Sequence, residues 1–249
     1  MKNSYRHFIS LGYFCSVALE LEKLGMRDTS SPFDWCTSSL KGVLDAIEDN
    51  FADMFNPEYL SQRTTSHEIY KNLKYNITFF HDFDGFVPLE EQIGQVEEKY
   101  HRRIDRFYKN ISEPTLFIRY INNAGEKGRP DELVWIEENY DYIIRLIKSF
   151  NPENDIIFIA SKGYACSEKV DLILVEPDSD ATVARTFADS DKAVREMLTG
   201  FEYAEREKNL EIYNRKNLRN KLHKEISRRK NSLKRKFVKP YIHHNQYRP

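Results

Sequence analysis

Residues 8–24 have the sequence FISLGYFCSVALELEKL, which predicts a strand followed by a helix. The uncharged stretch up to Gly12 is typical of a short buried strand. From Cys15 onward the apolar residues recur at helical spacing on one face: Val17, Ala18, Leu21 and Leu24. Gly25 stands where a glycine commonly ends a helix.

Strands and helices continue to alternate along the chain. Thr37, Ser38 or Ser39 can cap a second helix. Further along we expect, in order, hairpin arms at 68–70 and 75–80, a helix from Pro88, a strand at 115–120, a helix from about Asp131, strands at 155–160 and 170–175, and mostly helix over 181–203. This alternation predicts an α/β fold in which a mainly parallel central sheet is flanked by helices in three layers, with a basic C-terminal helical tail.

Charge divides the chain into two parts, although the net charge of the whole is only −1. Residues 215–239 contain twelve lysines and arginines against one acid, Glu225, for a net charge of +11. Residues 1–214 contain 25 basic and 38 acidic side chains and carry −13. We therefore expect an α/β domain of the catalytic type over residues 1–204 and a basic amphipathic helical tail over residues 205–249.

The residue pattern of the tail predicts a helix from about Glu205 to Val238. Its apolar residues recur at spacings of four, four, seven and four: Leu218, Leu222, Ile226, Leu233 and Phe237. Such a helix is typical of peripheral contact with a membrane or another polyanion. The alternatives are docking on the protein's own acidic body and pairing with a second tail as a short coiled coil. We expect no specific nucleic-acid binding, because positive charge alone does not discriminate between base sequences.

Composition argues against several classes of protein. No apolar run approaches the roughly 20 residues that span a bilayer, and the first residues lack the features of a signal peptide. Three scattered cysteines form no disulfide framework, which favours a cytoplasmic protein, with the inner membrane face as an option through the tail. No spacing resembles a zinc, calcium or glycine-rich phosphate site, so we expect neither a metal nor a cofactor.

Cys15 is the first candidate catalytic residue. It follows the carboxyl end of a predicted strand, where ligand sites of open α/β sheets collect, and it lies at the first turn of a helix, whose amides favour a thiolate. A small buried packing residue is the alternative. Cys36, beside Trp35, suits a packing role better, and Cys166 lies in a polar loop.

His81 is the second candidate, because it ends an apolar strand and a histidine can take a proton from a thiol and return it to a leaving group. Asp82 or Asp84 could orient its imidazole, or the pair could be purely structural. Basic residues form a further set. Arg103 and Arg106 are helical neighbours, and Arg119 lies inside an apolar strand, where it needs an anionic partner: Asp34, Asp82 or a substrate.

Five blocks in order resemble one bacterial family: LGYFC at 11–15, SPFDW at 31–35, HDF at 81–83, YHRRIDRF at 100–107 and LFIR at 116–119. The family is described as putative papain-like cysteine peptidase (DUF1796), and the resemblance covers roughly residues 7–175. It implies a Cys-then-His site, which maps onto Cys15 and His81. Asp82, Asp84, Asn122 and Asn123 are available as the third member, and we take Asp82.

Three functions follow as hypotheses: two enzymatic ones, and a non-enzymatic binding or scaffold protein in which the tail is the functional part. The first is a cysteine-dependent hydrolase, a peptidase or acyltransferase, with Cys15 as nucleophile, His81 as base, Asp82 orienting it, and Asp34, Arg103, Arg106 and Arg119 binding the substrate. The second is a carbohydrate-active transferase or esterase of surface-polysaccharide metabolism in which Cys15 only packs. The substrate would be a small molecule, a peptide or a glycan, with an anionic group as one option.

Overall fold

A computed structural model describes residues 4–64, 66–67, 69–121, 131–161, 170–175 and 192–237. Its strands are β1 His7–Ser10, β2 Cys36–Ser38, β3 Leu60–Gln62, β4 Tyr70–Asn72, β5 Ile77–Phe79, β6 Thr115–Ile121, β7 Asp155–Ser161 and β8 Leu172–Val175. Its helices are α1 Ser16–Lys23, α2 Leu40–Glu48, α3 Leu89–Ile111, α4 Asp131–Glu138, α5 Tyr140–Phe150, α6 Lys192–Gly200 and α7 Arg206–Phe237.

A four-stranded parallel sheet in the order β1-β6-β7-β8 forms the centre of the fold. Alternate residues of β6 pack into different layers, as the two-residue period of a strand requires. Leu116, Ile118 and Tyr120 join the cluster that contains α1 and α6. Phe117 and Ile121 join the cluster that contains α2, α3, α4 and α5. The predicted α/β fold with helices on both faces of a parallel sheet is confirmed.

A second sheet, antiparallel, has the order β2-β5-β4-β3. It contains the predicted hairpin, whose arms are β4 and β5. Strands β2 and β3 were not predicted, because their three residues each, CTS and LSQ, are mostly polar and form no apolar run. Phe79 of β5 packs into the same cluster as Phe117, so the second sheet covers one face of the first.

A glycine ends α1 and a serine begins α2 where the sequence predicts. Gly25 follows α1 with a φ of 71°, and the Met26 amide donates to the Leu21 carbonyl at 2.8 Å, which is the pattern of a glycine C-cap. Ser39 caps α2 by accepting from the Gly42 amide at 3.2 Å. The helix predicted from Asp131 divides into α4 and α5 at Asn139. Of the helix predicted over 181–203, residues 181–191 lie outside the described part.

The C-terminal helix is present as α7, and its first turns pack on the end of α1. Arg206 Nε donates to the Leu24 carbonyl at 3.3 Å, and the Asn209 amide donates to the Gly25 carbonyl at 3.3 Å. Lys216 pairs with Glu22 at 2.7 Å. No helix in the described ranges combines the length and the apolar character needed to cross a membrane. The division at residues 204 and 205 stays a prediction.

Candidate functional site

The segment after β1 leads directly to Cys15 and lies between the two sheets. The Leu11 amide donates to the Ile118 carbonyl of β6 at 2.9 Å, and the Ser38 amide of β2 donates to the Tyr13 carbonyl at 3.2 Å. Cys15 is the N-cap residue of α1, and its half-buried side chain is not in a disulfide. The structure therefore places Cys15 at the carboxyl edge of β1 and at a helix N-terminus, as the sequence predicts.

His81 lies on the neighbouring segment, after β5. The rings of Phe14 and Phe80 make an edge-to-face contact with centroids 6.2 Å apart. Because Cys15 and His81 are the next residues in each segment, this contact brings the two chain segments that carry them side by side. His81 is exposed to solvent.

Asp82 is held by two residues of α3. Lys99 donates to Oδ1 and forms a salt bridge with it, and the Tyr100 hydroxyl donates to Oδ2 at 3.0 Å. The Asp82 side chain is only 3% exposed. Burial raises the pKa of Tyr100, and the Asp82 carboxylate raises it further, so Tyr100 stays a proton donor to Asp82. Both oxygens of Asp82 thus have donors on α3, and its role in orienting His81 stays a prediction.

A cleft of about 420 Å³ opens beside this pair and is lined by Trp35, His81, Asp82, Lys99 and Arg103. We call it the basic cleft. The Arg103 guanidinium lies 4.9 Å from the centre of the Tyr100 ring, and its Nη1 atom is buried without a hydrogen-bond partner among the described residues. With Lys99 and Arg103 in its lining against the one carboxylate of Asp82, the cleft is net basic and suits an anionic group.

Lys99 and Tyr100 were missed from the sequence, although Lys99 lies one turn before Arg103 on α3. The i,i+4 spacing of these two basic residues was the available signal. Arg106 lies one turn further and is half-buried, so its substrate-binding role stays a prediction. Asp84 is exposed, and Asn122, Asn123 and Cys166 lie outside the described residues.

Cys36 has the packing role that the sequence favours. Its thiol is fully buried and donates to the Phe33 carbonyl at 3.4 Å. Burial raises the pKa of the Cys36 thiol strongly, and the carboxylates of Asp82 and Asp34 raise it further. A thiol in this environment stays protonated, and it is not a candidate nucleophile.

Asp34 is buried and paired within the protein, which corrects the expectation that it binds substrate. It is 1% exposed and accepts from the Arg27 guanidinium at 2.5 Å and from the Ser31 amide at 2.8 Å. Burial raises the pKa of Asp34, and Arg27 opposes that effect. Trp35 is half-buried rather than buried, and the Arg27 guanidinium lies 5.7 Å from its ring. Asp34 thus pairs with Arg27 inside the protein.

Arg119 is also enclosed, and its partner is Glu132 rather than Asp34 or Asp82. The residue has no exposed surface. Its Nη2 donates to Glu132 at 2.6 Å and to the Ser38 carbonyl at 2.6 Å, and its Nε donates to Glu132 at 3.3 Å. Its Nη1 donates to the Leu11 carbonyl at 2.7 Å and to the Ser38 hydroxyl at 3.2 Å. All five N–H donors are used within the protein, which corrects the expectation that Arg119 binds substrate.

Comparison with known proteins identifies a matching family. The model of the family described as putative papain-like cysteine peptidase (DUF1796) matches residues 6–147, more than half of the chain. The chain belongs to this family. The matched range includes Cys15, His81 and α3, and the family description implies a peptide or small substrate.

One curated relative is the uncharacterized protein R408 of Acanthamoeba polyphaga mimivirus. It is 29% identical over an alignment of 175 residues, and the match covers 61% of this chain and 76% of that protein. This relative is viral, so it lends no support to the bacterial and polysaccharide setting that the resemblance implied. No solved structure matches the chain. In the described residues no three His, Cys, Asp or Glu side chains are grouped to hold a metal ion.

Replacing Arg119 by lysine should lower the free energy of unfolding by about 3 kcal/mol, because a point charge cannot satisfy the acceptors that a planar fork reaches. Denaturant titration measures the loss. Arg102→Lys is the matched control, since Arg102 is exposed and pairs only across one helical turn with Glu98. Unchanged stability with reduced turnover would instead support a substrate-binding role for Arg119.

Asp34→Asn should cost about 3 kcal/mol of stability, because the Arg27 guanidinium, 11% exposed, loses its closer charged partner and keeps the longer pair with Glu22 at 3.6 Å. Activity per folded molecule should be unchanged. Asp45→Asn, which removes the exposed pair with Lys41, should change stability by less than about 0.5 kcal/mol. Wild-type stability of Asp34→Asn together with lost activity would contradict the assignment.

Proposed function

We propose that the chain is a cysteine-dependent hydrolase or acyltransferase in which Cys15 is the nucleophile and His81 is the general base. The contact between Phe14 and Phe80 carries the proposal, because it sets the segments of Cys15 and His81 beside one another. The α1 N-terminus supplies amides whose dipoles favour a thiolate at Cys15. Family membership supports cysteine chemistry at the level of the class.

The proposed reaction has two steps. His81 takes the proton of the Cys15 thiol while sulfur attacks a carbonyl carbon, and the same proton then passes to the leaving amine or alcohol. Water, or an acceptor nucleophile in a transferase, then attacks the thioester, gives its proton to His81 and releases the thiol. Asp82 stabilises the imidazolium that forms in each step, while Lys99 and Tyr100 hold its carboxylate.

Alkylation rates test the nucleophile. Near neutral pH, iodoacetamide should modify Cys15 of the folded chain at least about 100-fold faster than Cys36, because the Cys36 thiol is buried and protonated. Mass spectrometry of the peptides after timed quenching measures both rates in one sample. Equal or slower modification of Cys15 would contradict a thiolate there.

A second arm of that experiment tests the base. His81→Ala should slow alkylation of Cys15 by about tenfold, because the imidazolium that stabilises the thiolate is gone. His101→Ala is the matched control, since His101 is exposed on α3 and has an i,i+4 contact with Glu97. An equal effect of both variants would remove His81 from the site.

We further propose that α7 attaches the protein to an anionic membrane surface. Leu218, Leu222 and Ile226 are 61%, 53% and 50% exposed. At 100° per residue Leu218 and Leu222 lie on the side of α7 away from Asn209 and Lys216, which contact α1, and Ile226 lies about a quarter-turn from that contact side. The helix therefore contacts the body through one side. On the other side its apolar stripe is exposed among basic residues of the helix and can bind a partner.

Vesicle flotation tests this attachment. At low salt the full chain should float with vesicles that contain phosphatidylserine, and Leu218→Asp/Leu222→Asp/Ile226→Asp should stay at the bottom. Leu73→Asp is the control, because Leu73 is 59% exposed in the hairpin turn. A chain that ends at Asn214 should also fail to float. If the full chain fails to float, the membrane proposal is wrong.

A further inference from the structure

A second groove adjoins the basic cleft and shares His81 and Asp82 with it. It has a volume of about 790 Å³ and lies between the loop 83–87 and the first turns of α3, where Gln92 and Gln95 line it. We call it the loop groove. Since Lys99 and Arg103 of the basic cleft follow on the same helix, the two depressions are consecutive along α3.

An exposed aromatic side chain, that of Phe86, lines the loop groove. Phe86 is 98% exposed. Its loop is nevertheless held in place, because the Phe86 amide donates to Asp84 Oδ1 at 2.9 Å and the Gln92 side chain binds both ends of the loop. Gln92 accepts from the Asp84 amide at 2.7 Å and donates to the Asp84 carbonyl at 2.9 Å and the Val87 carbonyl at 2.6 Å. Phe86 thus offers an apolar surface beside the groove that a bound segment can cover.

The charges of the two depressions differ in sign. Asp84 and Glu91 line the loop groove, which disfavours an acidic group there. The basic cleft has Lys99 and Arg103 against the single carboxylate of Asp82, which pairs with Lys99 and leaves Arg103 as the excess positive charge of the lining. An apolar group therefore fits beside Phe86 and an anionic group beside Arg103.

We propose that the two depressions form one path for an extended peptide, which places an apolar side chain against Phe86 and a carboxylate side chain against Arg103. This assignment rests on the proposed function, since it takes His81 as the point between the two subsites. From Gln92 to Lys99 or Arg103 the helix rises by about 10–16 Å. An extended peptide covers that length in about three to five residues, which sets the spacing between the two side chains.

Binding of short labelled peptides tests the path without any turnover. The full chain carrying Cys15→Ser is titrated against eight-residue alanine–glycine peptides that contain one leucine and one glutamate three to five positions apart, in both orders. By fluorescence anisotropy, the preferred peptide should bind at least about tenfold more tightly than the same peptide lacking either residue. If no peptide binds more tightly than the alanine–glycine reference, the proposal is wrong.

Matched variants assign each subsite. Phe86→Ser should abolish the preference for leucine and keep that for glutamate, whereas Leu73→Ser should change neither. Arg103→Gln should abolish the preference for glutamate, whereas Arg102→Gln should not. If Arg103→Gln lowers the melting temperature substantially, Arg103→Lys serves instead and should weaken the same preference. Equal effects of a variant and its control would overturn that subsite.

The unsubstituted chain separates this proposal from the proposed chemistry. Binding that depends on Phe86 and Arg103, without cleavage or acyl transfer of the bound peptide, would support the path and overturn the role of Cys15. Turnover of peptides that is indifferent to both residues would support the role of Cys15 and overturn the path.

Discussion

The buried guanidinium of Arg119 joins the parallel sheet to the antiparallel one. It projects from β6, binds Ser38 of β2 through both main chain and side chain, and meets Glu132 of α4. It also holds the Leu11 carbonyl just before the segment that carries Cys15. Because a buried guanidinium is costly unless every donor is satisfied, these elements must stay together. The position of the candidate nucleophile depends on that arrangement.

Gly12 shows how little room this arrangement leaves. Its φ of 83° favours glycine, and a side chain there would meet the Ser38 hydroxyl at 2.6 Å and Arg119 Nη1 at 2.9 Å. The close approach of the β1 segment to Arg119 therefore needs a residue without a side chain. The same contacts bring the segment of Tyr13 and Phe14 against β2 and Phe80, which puts the two candidate catalytic residues on adjoining segments.

Periodicity was enough to predict the layers, because β6, β7 and the long helices are long enough to show a pattern. It could not predict partners that are distant in sequence. The need of Arg119 for an anionic partner followed from its apolar strand, but the choice of Glu132 depends on where α4 crosses the sheet. Asp34 resembles a site residue by its neighbours in sequence, yet its carboxylate is buried and binds Arg27, seven positions earlier. The i,i+4 spacing of Lys99 and Arg103 was present in the sequence, but the contacts of Lys99 and Tyr100 with Asp82 appear only in the structure.

Helix α1 joins the two regions to which we assign function. Cys15 caps its N-terminus, and its C-terminal turn accepts Arg206 and Asn209 of α7. The contact is close: a side chain at Gly25 would lie 2.6 Å from Leu210 and 2.7 Å from the Arg206 carbonyl. Cutting the chain near Asn214 removes the pair between Lys216 and Glu22 as well as the apolar stripe, so it disturbs α1 and the tail together. Substitutions of the exposed stripe leave α1 untouched, and they are the cleaner way to separate attachment of the protein from the chemistry of Cys15.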